Sequence, residues 1–268
     1  MEKICAYLLL ILCWSVSLNA APALNGQAVQ GGMMWGTVPA DTKVWLDDQP
    51  VAVHDSGAFV FGFGRDARLS AALKFEYADG DAELLDLQIK DREFNIERVN
   101  GLPPKTVTPP PEWRERRQVE TGRVRSARAV NMPETLWLGG FKKPAEGRFS
   151  GFYGSQRILN GKPRSPHYGL DIAAATGTPV YAPAGGVVRL AAPDFLLEGG
   201  IVIIDHGLGV TSTLFHLDTV TVKEGERVEQ GEDIGTIGAT GRATGPHVDW
   251  RVNWKSVRLD PLLLIEKD

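Results

Sequence analysis

The run Gly200-Ile201-Val202-Ile203-Ile204-Asp205-His206-Gly207-Leu208-Gly209-Val210-Thr211-Ser212-Thr213-Leu214-Phe215-His216 consists of two apolar stretches broken by a glycine-rich turn. Neither stretch has a helical period of useful length, so the run predicts two neighbouring strands. Outward from it, Pro179 to Val188 and Asp233 to Gly238 repeat the pattern of short apolar runs between Gly-rich turns. Residues 133–268 are therefore expected to form an all-β domain on an antiparallel sheet.

Chemistry-bearing residues flank these runs. Pro166-His167-Tyr168-Gly169-Leu170-Asp171 and Gly245-Pro246-His247-Val248-Asp249-Trp250 each place a histidine and a carboxylate at an even spacing. On an extended strand, residues two or four apart share a face, so His167 can point with Asp171 and His247 with Asp249. Imidazole nitrogens and carboxylate oxygens are the ligands of a catalytic zinc ion that keeps one position open for water. With His216 between them, the two pairs read as halves of one metal site. His206, at a strand end before a glycine turn, is expected to be structural. No nucleophile-elbow motif or Ser-His-Asp system is visible.

From roughly Gly147 to Pro261 these motifs resemble the lysostaphin-like, LytM-type zinc endopeptidases that cut peptidoglycan peptides. The resemblance implies that His167 and Asp171 bind zinc and that the strand histidine, His216, assists catalysis. The family closes on His-x-His, whose first histidine is catalytic and whose second is the third ligand. Here the first is His247, and the third-ligand position falls on Asp249, so the motif reads His-x-Asp. The implied set is His167, Asp171 and Asp249 for the metal, with His216 and His247 for catalysis. A carboxylate in place of an imidazole lowers the charge of the site, weakens its Lewis acidity and makes Mn2+ or Fe2+ more competitive with Zn2+.

The chain of 268 residues is 43% hydrophobic with a formal charge of −4, a composition that excludes a disordered polymer and gives no bulk electrostatic reason to bind nucleic acid. Lys3, the apolar run Ile4 to Leu18 and Leu18-Asn19-Ala20 before Ala21-Pro22 predict a secretory signal at 1–20 and a periplasmic or secreted mature protein. Membrane association is expected only if that segment is retained. Lipidation is disfavoured by Leu12 before Cys13. Cys5 and Cys13, the two cysteines, leave with the signal, so neither disulfides nor a thiolate ligand are expected.

Residues 25–101 read as a small immunoglobulin-like β-sandwich. Thr42 to Leu46 and Pro50 to Val53 bracket a turn, as do Leu73 to Tyr77 and Leu84 to Ile89. Phe59, Phe61 and Phe63 alternate onto one face, and Phe94 to Val99 is expected as the last strand of the sandwich. These aromatics, with Trp35 and Trp45, are expected to fill the core rather than to form a carbohydrate platform. His54 is expected at the surface. Residues 102–132 form a linker: a Pro-rich polyproline spacer, then an Arg-rich helix expected to be solvated and interrupted near Gly122. Its arginines offer a second use, contact with an anionic wall polymer or membrane.

The resulting expectation is an exported zinc metalloendopeptidase acting on peptidoglycan peptides. Its rival is a LytM-type domain without turnover that activates a cell-wall amidase or only binds peptidoglycan.

Overall fold

The computed structural model describes residues 22–265. The expected signal at 1–20, with both cysteines, lies outside the described residues. The chain is mostly β, and its largest unit among the described residues is a ten-stranded sheet. The main path runs Arg227–Val228, Gly186–Phe195, Gly199–Gly207, Val210–Val220, His247–Trp254, Leu170–Ala173 and Arg148–Gly151. All of these pairings are antiparallel.

The central strand Gly199–Gly207 is buried along its whole length. Its side chains divide between two cores. Val202 and Ile204 join the main core with Trp137, Phe141 and Trp250, whereas Ile201 and Ile203 join Leu190, Phe195 and Phe215 on the other face. The helix Arg114–Ala129 covers that second face through Val124 and Ala127, three residues apart on one side of the helix. A strand buried on both faces needs no polar alternation, which explains the unbroken Ile201 to Ile204 run.

This helix differs from the solvated, interrupted linker expected from its sequence. It passes through Gly122, where the surroundings are open. Glycine in a helix interior costs about 1 kcal/mol. Docking offsets that cost: Arg116 and Arg117 both pair with the buried Glu120, Arg117 reaches Glu198, and Arg123 pairs with Glu224 at 2.6 Å. The Pro-rich segment before it is not a free spacer either. Leu102 and Val107 pack with Leu159, and a short helix spans Pro104–Val107.

The N-terminal residues form two small sheets, one of Leu24–Gly26, Met33–Thr37 and Ala58–Gly62, the other of Gln49–Val51, Lys43–Leu46, Ser70–Glu76 and Ala82–Gln88. Phe59, Phe61, Phe63 and Phe75 are buried in their core. Trp35 packs edge-on against Trp137 of the C-terminal half, 6.3 Å between ring centroids. His54 accepts from the Ser56 backbone N–H through Nδ1, closing a local turn.

The two halves are joined intimately. Ile96–Val99 lies parallel to Gln156–Leu159, so the last N-terminal strand pairs with the C-terminal half instead of completing the sandwich. Arg92 and Asp260 form an ion pair at 2.8 Å in which the carboxylate is almost fully buried. A side chain at Gly62 would collide with Leu259, and one at Gly154 with the Phe94 ring, so both glycines permit the close approach.

Candidate metal centre and active-site groove

Three strands bring the site together. Asp171, on Leu170–Ala173, faces Asp249, on His247–Trp254, which in turn faces Phe215 on Val210–Val220. His167 sits just before its strand, held by His167 N–H donating to Ser155 O and His167 O accepting from Gly154 N–H. Two glycines make room: a Cβ at Gly151 would lie 2.1 Å from Asp171 Oδ2, and one at Gly169 2.1 Å from Asp249 Oδ1. Any side chain at either position would displace a carboxylate.

His167, Asp171 and Asp249 are buried, and one ligand atom from each lies within 4.8 Å of the others. His167 Nε2 is 3.0 Å from Asp171 Oδ1 and 3.4 Å from Asp249 Oδ1. Yet both ring nitrogens of His167 and Asp171 Oδ1 lack an aligned hydrogen-bond partner. Buried polar atoms are almost always satisfied, so the unmatched His167 Nε2 and Asp171 Oδ1, 3.0 Å apart beside Asp249 Oδ1, fit a divalent cation. Burial opposes charge on His167, but the Asp171 and Asp249 carboxylates outweigh it and raise the ring's pKa above the ordinary value. Burial likewise opposes ionised Asp171, yet His167 and Arg157 draw its pKa down to about 2. Against the same burial, Arg251 and then His167 hold Asp249 well below the usual carboxylate range.

Each carboxylate is also gripped by an arginine. Arg157 Nη2 donates to Asp171 Oδ2 at 2.7 Å. Arg251 Nη2 donates to Asp249 Oδ2 at 2.5 Å, and its Nε lies 3.1 Å from both oxygens.

His216 and His247 stand beside the triad with ring centroids 4.8 Å apart. Val202 faces Leu214 and Gly200 faces Leu217, so Phe215 and His216 together oppose Ile201 in a bulge. His216 has φ +65°, a left-handed conformation uncommon outside glycine, as expected where a strand re-aims one side chain. His216 Nδ1 lies 2.8 Å from Thr240 O and His247 Nδ1 2.8 Å from Gly245 O. In a neutral ring the nitrogen facing a carbonyl carries the proton, which makes Nε2 the acceptor in each. Burial and the neighbouring His247 push the His216 pKa down to about 4, so it is neutral at neutral pH. His206 lies elsewhere, fully buried, bonded to Gly185 O and Ser212 Oγ.

The groove beside Asp171 and His247 encloses about 400 Å³ and includes Ser150, Arg148 and Arg242 in its lining. One wall comes from the N-terminal half through Glu97, Val99 and Leu102. Sequence reasoning missed Arg157, Arg251 and Thr240. Only Arg251 had a local signal, being two residues from Asp249 and so on the same strand face.

Carboxylates and an imidazole placed to hold a cation, beside the His216 and His247 rings, with His247 lining the groove, are the arrangement of a candidate metal-dependent hydrolase site. Residues 165–261 match Peptidase family M23. Over 88 residues it is 40% identical to the peptidoglycan DD-endopeptidase ShyA of Vibrio cholerae, covering 33% of this chain and 20% of that protein. Over 97 residues it is 37% identical to an uncharacterized metalloprotease of Haemophilus influenzae, covering 36% of this chain and 20% of that one. These matches span about a fifth of each relative's length. The crystal structure of a Pseudomonas aeruginosa protein assigned to peptidase M23 superposes with a TM-score of 0.68 at 28% identity, over 88% of this chain and 94% of that one. That coverage takes in N-terminal sheets as well as the residues that match M23.

Proposed function

We propose that this protein is an exported zinc metalloendopeptidase that hydrolyses peptide bonds in peptidoglycan, working in the periplasm or outside the cell. The observation that carries the reading is the convergence of His167, Asp171 and Asp249 beside two histidines with free Nε2 atoms. The peptidoglycan substrate is suggested by the similarity to the Vibrio peptidoglycan DD-endopeptidase. His167, Asp171 and Asp249 would hold the ion, Zn2+ by preference, with Mn2+ or Fe2+ competing for a site of one nitrogen and two oxygens. When bound, such an ion supplies Lewis acidity, polarising a carbonyl and lowering the pKa of water from near 16 toward about 7.

The protein's own part is proton handling and orientation. His247 takes the proton of the attacking water at Nε2 and returns it to the departing amine nitrogen, while neutral His216, with Nε2 as an acceptor, orients that water. Once protonated, His247 stabilises the oxyanion. The Thr240 and Gly245 carbonyls fix both rings and their tautomers. Arg157 and Arg251 anchor the outer oxygens of the two carboxylates.

Purified protein lacking 1–20, incubated with peptidoglycan sacculi with and without chelator, tests the reading by mass spectrometry of released peptides. Chelator-sensitive peptide cleavage supports it. The second reading, a wall-binding activator of an amidase without turnover, draws on the double grip of Arg251 on Asp249, which competes with a cation for that carboxylate. Sacculi left intact by metal-loaded protein, together with stimulation of an added amidase, would favour it.

A further inference from the structure

A second cavity, of about 700 Å³, opens between the C-terminal end of the helix Arg114–Ala129 and the strands His247–Trp254 and Val257–Leu259. Its charged lining consists of Arg125, Arg128, Lys255 and Arg258, and no acidic side chain lines it among the described residues. In a chain with more acids than bases this is a local inversion of charge.

These cations are poorly compensated. Arg128 Nη2 donates only to the Thr213 hydroxyl, at 2.8 Å, and its Nε is buried without a partner. Burial, then the neighbouring Arg258 and Arg251, pull its pKa down to about 9. The Arg258 guanidinium lies 5.2 Å over the Tyr168 ring and has no carboxylate within ion-pair distance among the described residues. Asn253 also lines the cavity, and Thr211, facing it across the ladder, holds a buried hydroxyl without a partner. A buried cation without a counter-charge is costly, and an oxyanion held by several such donors relieves that cost.

The cavity lies in line with the metal centre. Asp249, Arg251 and Asn253 share one face of a single strand. Four residues at about 3.3 Å each put Asn253 roughly 13 Å beyond Asp249. An extended peptide covers that distance in about four residues.

We propose that this cavity is an anion subsite that takes a free carboxylate of a peptide substrate, about four residues from the bond to be cut. The assignment rests on the peptidase reading for the identity of its ligand. The chemistry requires a carboxylate or another oxyanion, and the strand geometry favours one carried on an extended peptide.

The test uses the intact protein without 1–20, treated with chelator so that binding is read apart from turnover. Calorimetry compares a soluble wall-stem peptide bearing free carboxylates with the same peptide fully amidated, and with inorganic phosphate. The acid form is expected to bind at least tenfold more tightly than the amide. Arg128→Gln and Arg258→Gln should each remove that preference while leaving amide binding unchanged. Arg258→Lys should retain part of it. Equal binding of acid and amide, or an undiminished preference in an Arg258→Gln variant that melts like wild type, overturns the proposal. Phosphate binding without any acid-over-amide preference overturns it too. Arg258 carries the test if Arg128→Gln does not fold. Sacculus cleavage without acid preference removes the subsite and leaves the peptidase; acid preference without cleavage does the reverse.

Discussion

Arg251 clasps Asp249 on the same strand face, with Nε 3.1 Å from both carboxylate oxygens and Nη2 2.5 Å from Oδ2. The carboxylate that stands in place of an expected imidazole thus brings its own counter-charge. Asp249 with Arg251 has the formal charge of a neutral histidine, which offsets the loss of Lewis acidity that Asp249 alone implies. Removing that charge should strengthen cation binding and weaken catalysis. Arg251→Gln is expected to bind Zn2+ at least tenfold more tightly in chelator competition, about 1.4 kcal/mol per tenfold, while turning over more slowly. Weaker binding would mean that orienting Asp249 outweighs the charge.

Metal and activity should separate between Asp171 and His247. Asp171→Ala removes a carboxylate from the buried triad and is expected to lose bound metal and hydrolysis together. His247→Ala is expected to keep its metal and lose activity by about 10²- to 10⁴-fold, the usual worth of a general base. Metal content per chain, measured beside muropeptide release, decides. Equal metal loss in both variants would make His247 a ligand.

The Arg92–Asp260 pair should matter to stability, because Asp260 is almost fully buried and also accepts from Leu262 N–H. Asp260→Ala leaves Arg92 without its partner, and is expected to cost about 2–4 kcal/mol in urea unfolding, discounted for the partial exposure of Arg92. A change under about 1 kcal/mol would show that this ion pair adds little to a junction held by strand pairing and apolar packing.

Burial lowers the His206 pKa to about 4. The unfolded chain, with its histidine near 6.5, then binds the extra proton between those values. Stability contributed by neutral His206 is full above about pH 6.5 and lost as pH falls toward 4, on the order of 3 kcal/mol. An NMR titration of the folded protein should place the ring's midpoint near 4; a midpoint near 6.5 rejects the assignment.

Local pattern carried the sheet and the ligand spacing far into view. Apolar runs and glycine turns mark strands because backbone geometry is local, and the even His–Asp spacings are local for the same reason. Arg157 reaches Asp171 from a separate strand, and Arg128 lines its cavity from a helix, so neither could be read from spacing. His216 illustrates a different limit. Its strand looks regular in sequence, yet the bulge opposite Ile201 and the positive φ decide where the ring points. In sequence the helix Arg114–Ala129 reads as solvated because its arginines look like a water-facing surface. Their partners Asp194, Glu198 and Glu224 lie far along the chain.

The parallel pairing of Ile96–Val99 with Gln156–Leu159 makes the groove a joint product of both halves. A fragment trimmed to residues 133–268 would bare one flank of Gln156–Leu159 and lose the Glu97, Val99 and Leu102 wall, even with His167, Asp171 and Asp249 in place. An unpaired strand edge invites association with other chains. The catalytic half is therefore no portable cassette: grafting it onto another carrier would move the chemistry but leave the shape of its substrate channel behind.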